Sequence, residues 1–333
     1  MTTSSIGDLS RGFSLRNQTT RLRAEVDLRA LEATTGTTGD LARRLGGDVA
    51  RVVSIDNRLA QGHSYRSVTA EAAQRATAVQ SALSRLSDEA DELSSTLLTA
   101  SSPGNDAAVT TAGLAAESRL QAVIGTLNTR LGDRGLFSGT ETRRPALIDA
   151  NDLLDLAEAA VASETSAAGI DSALTAWFED PAGFSAQAYL GGPGLEPFVV
   201  ASGEGVSLDV TALDPAITDQ LKSMVMAALL PRDLLAGQTE ERAELARMAG
   251  ERLAEGATDR AGIAARVGIA EGRIAAAEAR HAADDTAYSL ARLELVAVDD
   301  YEAATALTEA EQQLETLYAI TARLARLSLS EYL

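Results

Sequence analysis

Residues 65–97 read YRSVTAEAAQRATAVQSALSRLSDEADELSSTL, with Tyr65, Val68, Ala72, Ala76, Val79, Leu83, Leu86, Ala90, Leu93 and Leu97 at spacings of three and four. Such spacing places all of these side chains on one face of a helix, with charge and Ser/Thr on the others, and predicts one long amphipathic helix. Ser101-Ser102-Pro103-Gly104-Asn105-Asp106 ends it. Proline cannot continue a helix, glycine suits the turn, and Asn or Asp caps the next helix. A second helix is expected through Val109, Gly113, Ala116, Leu120, Val123, Leu127 and Leu131. Two long helices joined by a short turn must run antiparallel and bury their apolar stripes on each other.

The same spacing returns downstream at Ile263, Val267, Ala270, Ile274, Ala277, His281, Asp284, Tyr288, Ala291, Leu295 and Val298. Its phase slips at Asp299-Asp300-Tyr301, read as a stutter within a continuing helix, and resumes at Ala304, Leu307, Glu311, Leu314, Leu317, Thr321, Leu324 and Leu327. Near the start, Leu9, Phe13, Leu15, Leu22, Val26, Leu28 and Leu31 form a less regular stripe. Isolated helices are marginal and chain ends fray, so each terminal stripe needs a partner. The simplest partner is the other terminus.

Between the helical segments the composition changes. Trp177, Phe178, Phe184, Tyr189 and Phe198 crowd one window, although the 333-residue chain holds only 1 Trp, 6 Tyr and 5 Phe. This window predicts a small core of its own. Pro197–Ala201 and Val206–Val210 read as a hairpin around a glycine turn, and Asp152–Ala162 and Ile170–Phe178 as two short helices. The expected fold is mainly α: a long antiparallel helical coiled-coil rod from the N- and C-terminal segments, with a small inserted α+β domain. Its parts are an N-terminal axial helix (1–35), rod helices (36–137), the inserted domain (138–214), rod helices (215–298) and a C-terminal axial helix (299–333).

Composition excludes several functions. The apolar share is 45%, the aromatic share only 4%, which suits thin helices. With 29 Lys+Arg against 48 Asp+Glu the net charge is −19, which argues against nucleic acid and anionic membrane, since both require a basic face. No cysteine is present, so disulfides, thiolate metal sites and a cysteine nucleophile are excluded. Met1–Asp8 has neither a basic n-region nor an apolar h-region, and no stretch approaches the ~18 apolar residues of a membrane span. The expectation is a soluble chain, or one exported without a conventional cleaved signal.

Nothing in the sequence composes an active site. His63 and His281 each lack a second group at catalytic or metal-binding spacing, and there is no His-x-x-x-His run. The acid pairs Glu240-Glu241, Asp284-Asp285 and Asp299-Asp300 diverge by about 100° on a helix and read as solvated faces. Gly191-Gly192-Pro193-Gly194 lacks the Gly-Lys-Ser/Thr ending of a phosphate loop and reads as a plain turn. No catalytic residue, metal or cofactor is expected.

Two segments carry a resemblance. Leu136-Phe137-Ser138-Gly139-Thr140-Glu141-Thr142 and the ending Leu327-Ser328-Leu329-Ser330-Glu331-Tyr332-Leu333 resemble the flagellin superfamily, specifically its hook-associated protein 3 family of hook–filament junction proteins. There the first motif leaves the helices for a variable domain. Flagellins proper more often end in a Leu-Leu-Arg-like tail, and Tyr189–Val206 is similar to the hairpin of the junction family's inserted domain. The family's proline turn after the first helix is replaced here by Thr34-Thr35-Gly36-Thr37-Thr38-Gly39-Asp40.

The resemblance implies a structural, non-enzymatic subunit at the extracellular hook–filament junction, exported without a cleaved signal peptide. Its implied partners are the first hook-associated protein, flagellin, its own copies in a ring and a flagellar export chaperone, without nucleic acid or membrane insertion. The residues expected at the assembly interface are Leu9, Phe13, Leu22, Val26, Leu314, Leu317, Leu324, Leu327, Leu329, Tyr332 and Leu333. The alternatives are a flagellin, a cytosolic coiled-coil signalling protein and, weakest, a hydrolase housed in the inserted domain, which contains no histidine.

Overall fold

The computed structural model describes residues 6–102, 104–232 and 234–330, with side chains from residue 10 to residue 324. In chain order its elements are α1 (Ile6–Thr35), α2 (Leu41–Arg44), α3 (Ala50–Ala100), α4 (Asp106–Leu127), β1 (Arg130–Leu131), β2 (Arg134–Gly135), α5 (Ala150–Val161), α6 (Ala167–Glu179), α7 (Phe184–Gln187), β3 (Phe198–Ala201), β4 (Glu204–Val206), α8 (Pro215–Ala228), α9 (Thr239–Glu255), α10 (Ala257–Val296) and α11 (Asp300–Ser330). The fold is mainly α, with two small two-stranded antiparallel hairpins, β1–β2 and β3–β4. It divides into two compact units. One holds Ser64–His281, the other the residues up to His63 and from Ala282, so α3 and α10 contribute to both.

In the larger unit the seam expected on α3 is buried from Ala72 to Leu97, and Val109, Ala116, Leu120, Val123 and Leu127 of α4 are buried with it. Asn105 caps α4 by accepting from the Ala108 amide at 3.3 Å. Arg119 of α4 bonds Glu89 and Glu92 of α3 at 2.7 and 2.6 Å, which fixes the antiparallel register. The second helix stops at Leu127, short of the expected Leu131. Asn128 turns the chain there by bonding both backbone groups of Leu147, and Gly132, at φ +63°, closes the β1–β2 hairpin instead.

Other helices approach where a side chain is missing. A Cβ on Gly250 of α9 would lie 3.0 Å from Leu98 Cγ and 3.2 Å from Leu97 Cβ, and the Gly250 carbonyl accepts from Ser94 Oγ at 2.7 Å. A Cβ on Gly113 would lie 2.9 Å from Leu230 Cβ. Between α9 and α10 the helical path is interrupted at Gly256.

The aromatic window does not form a core of its own. Phe184, Val200 and Val206 belong to the same buried cluster as Leu86, Leu97 and Leu120, because α5, α6 and the β3–β4 hairpin pack directly on the long helices. Trp177 meets Phe178 and Phe184 edge-on at its margin. The hairpin is tighter than expected. Gly203, at φ +75°, allows a short turn, so Phe198 pairs with Val206 and Ala201 with Glu204. Leu208 and Val210 still point inward beyond the paired strand.

In the smaller unit α1 packs on α11. Arg23 Nε donates to Tyr318 Oη at 2.7 Å, while Thr38 and Gly36 at the other end bond Val296 and Val298, so the two helices run antiparallel. The stutter at Asp299-Asp300-Tyr301 is a break: residues 297–299 are not helical. Asp299 accepts from the Tyr301 and Glu302 amides at 2.9 and 3.0 Å and starts α11 afresh. The new helix carries its seam on Ala303, Ala310 and Leu317, whereas the expected Ala304 and Glu311 are exposed. Elsewhere in the unit, Asp56 of α3 pairs with Arg292 of α10 at 2.6 Å, and Arg58 Nη1 donates to Tyr288 Oη at 3.2 Å.

Candidate assembly surface

The terminal helices sort their apolar side chains into two sets. Leu317 is buried, and Leu22, Val26 and Leu314 are half-buried, all within the unit where α1 meets α11. These expected interface positions are at least partly covered within the chain. Phe13, at 66%, and Leu324 are exposed. Leu9, Leu327 and Leu329 lie in the helices with side chains outside those described, and Tyr332 and Leu333 lie outside the described residues.

The structure adds residues that the stripe reading missed or misplaced. Leu31 is exposed on α1, as are Tyr301 (81%) and Ile320 on α11. Phe13 and Leu31 stand five whole turns apart at about 3.6 residues per turn, so they share one face of α1. Ile320 and Leu324 stand one turn apart on α11. Val53 of α3 and the pair Leu290 and Leu293 of α10 are also exposed in this unit. The available signal was the set of large apolar residues left over once one seam had been assigned.

The Leu136–Thr142 stretch has a different task. Leu136, Phe137 and Ser138 are buried in the larger unit, and Gly139 sits at φ +55°. A Cβ on Gly139 would fall on the carbonyl oxygens of Gly192 and Pro193. Those residues bond the stretch directly: Thr140 N donates to Pro193 O at 2.8 Å, and Gly192 N to Ser138 O at 3.0 Å. Gly191-Gly192-Pro193-Gly194 is therefore the counterpart of the motif and more than a plain turn. From the other side the buried Arg75 donates to the Leu136 and Gly135 carbonyls at 2.6 and 3.3 Å. Burial, then the nearby Arg134, pulls its pKa down. The motif clamps the segments around it.

The remaining polar candidates hold structure. His281 Nε2 sits 2.7 Å from the Val200 carbonyl, and its ring stacks on Tyr65. His63 is exposed, 3.9 Å from Asp285. Two of the acid pairs are more than solvated faces, since Asp299 caps α11 and Glu241 accepts from the Ala167 amide at 2.7 Å at the start of α6. Among the described residues no group of three or more His, Asp or Glu is placed to hold a metal, and no helix is long and apolar enough to cross a membrane.

No family model matches the chain, and no curated protein matches it. Among solved structures, it is similar to a Vibrio parahaemolyticus chain provisionally named a flagellar hook-associated protein, with 15% identity and a TM-score of 0.45 over 77% of this chain and 96% of that one.

Proposed function

We propose that this chain is a non-enzymatic structural subunit of the bacterial flagellum that joins hook to filament, as hook-associated protein 3 does, and assembles through its terminal helices. The observation that carries the reading is the sorting of apolar residues on α1 and α11. One set is used to pair the two helices within the chain, and a second, with Phe13, Leu31, Ile320 and Leu324, faces solvent. Large apolar side chains left exposed on paired helices suit burial against neighbouring copies, at about 25 cal/mol per Å² of apolar surface covered. The Leu136–Thr142 motif and the Leu327–Leu333 ending support the same reading through their family resemblance.

On this reading the neighbours are other copies in a ring, the first hook-associated protein on one side and flagellin on the other, with an export chaperone before assembly. The location is extracellular, reached without a cleaved signal peptide. Removing Leu327–Leu333 tests it. The truncated chain should fail to incorporate at the junction while keeping native Trp177 emission from the larger unit, and normal incorporation overturns the reading. Purified alone, a flagellin would instead extend into long filaments, and a cytosolic coiled-coil protein would never leave the cell.

A further inference from the structure

The smaller unit leaves helical geometry twice at one level. Residues 36–40 separate α1 from α2, and residues 297–299 separate α10 from α11. The two breaks are bonded to each other. Thr38 N donates to Val296 O at 2.8 Å, Val298 N donates to Gly36 O at 2.9 Å, and Thr37 forms an antiparallel bridge with Ala297. Arg44 Nε adds a bond to the Leu295 carbonyl at 3.2 Å.

One buried carboxylate holds the first break against the helix that precedes it. Glu32, 3% exposed, accepts from Thr38 Oγ1 at 3.0 Å and from the Gly39 amide at 3.1 Å through Oε1, and from Arg29 Nη1 at 2.7 Å through Oε2. A carboxylate is an expensive residue to bury, and an apolar side chain at this position would serve helix packing better. What Glu32 supplies and an apolar residue cannot is a pair of bonds to the connecting segment. An isolated bridge of two backbone bonds has no ladder on either side to support it, so its persistence rests on side-chain bonds such as those of Glu32 and Arg44. Beside it lies an open groove of about 430 Å³ bordered by Asp40, Arg43, Arg44, Val298 and Glu302.

We propose that the paired breaks form a single latched joint in the smaller unit, with Glu32 as its latch. While the carboxylate holds Thr38 and Gly39, the bridge between Thr37 and Ala297 stays closed and the α1–α11 pair keeps one direction. With the latch removed, the bridge opens and the pair swings about residues 36–40 and 297–299 with its helices intact. The joint does not depend on what the α1–α11 pair docks against.

Limited trypsin digestion of the full chain at neutral pH tests this, because Arg43 and Arg44 lie just beyond the latch. Glu32→Ala should speed cleavage there by about tenfold and Thr38→Val by about threefold, as the open population grows. Cleavage at Arg16, Arg21 and Arg23 of α1 and at Arg323 of α11 should stay at wild-type rates, and far-UV circular dichroism should be unchanged. Wild-type cleavage at Arg43 and Arg44 in Glu32→Ala overturns the latch. Equal acceleration at the α1 and α11 sites also overturns it, because Glu32 would then stabilise the helices without governing a joint.

Discussion

Gly139 and Glu32 show what single residues contribute. At φ +55°, with two carbonyl oxygens where a Cβ would go, Gly139 has no tolerated replacement. Gly139→Ala should cost about 3 kcal/mol of stability through strain and displaced backbone, read from urea unfolding followed by Trp177 emission. An unchanged midpoint contradicts that role. For Glu32, burial pushes the carboxyl pKa up, but the bonds from Arg29, Thr38 and Gly39 outweigh it and hold the group below the usual carboxylate range. Its contribution is therefore complete above that range and is lost as pH falls through the lowered pKa. Asp40, Arg43, Arg44 and Glu302 also border the site and are present in every variant. The melting temperature of wild type should fall more steeply between about pH 5 and pH 2 than that of Glu32→Gln, and superimposed acid limbs contradict the assignment. The role of Gly139 was not legible locally. Leu136–Thr142 could be recognised as a motif, but the groups that constrain Gly139 lie more than fifty residues downstream.

At the scale of elements, long regular stripes were legible because only one face of a helix satisfies them. Ala72 to Leu97 on α3 and Ile263 to His281 on α10 are buried as their spacing requires. The failures came where two readings cost the same. Across Asp299-Asp300-Tyr301 a phase slip and a broken helix look alike, and the choice falls to a cap on Asp299 and a bridge from Thr37. On α11 the choice between Ala303 and Ala304 cannot be made from hydrophobicity at all; contact with α1 makes it. Small residues between helices give a direct test. Gly250→Val would drive a branched side chain into Leu97 and Leu98, pushing α9 from α3 at a cost of about 2 kcal/mol by urea unfolding. A variant as stable as wild type would show that this helix pair repacks freely.

At the scale of the whole molecule, the chain holds two compact units. The larger buries one continuous cluster that takes in residues read from sequence as a separate insert. The smaller carries the terminal helices, and there the apolar stripes were legible but not which of their residues stay exposed. Leu22, Val26, Leu314 and Leu317 were correctly placed on apolar stripes, but periodicity does not distinguish a stripe satisfied within the chain from one awaiting another copy. Exposure does, and it leaves Phe13, Leu31, Ile320 and Leu324 free of cover. With a net charge of −19, free copies repel one another, so the proposed assembly must draw on covering that apolar surface.

The central proposal is that α1 and α11 are completed by neighbouring subunits. Amide hydrogen exchange measures this directly, on the purified chain alone and after mixing with flagellin and the first hook-associated protein. The account predicts exchange across α1 and α11 in the free chain that slows further on mixing, with the core of Ser64–His281 protected throughout. Terminal helices already fully protected alone, and indifferent to both partners, would contradict it and leave a self-contained helical bundle.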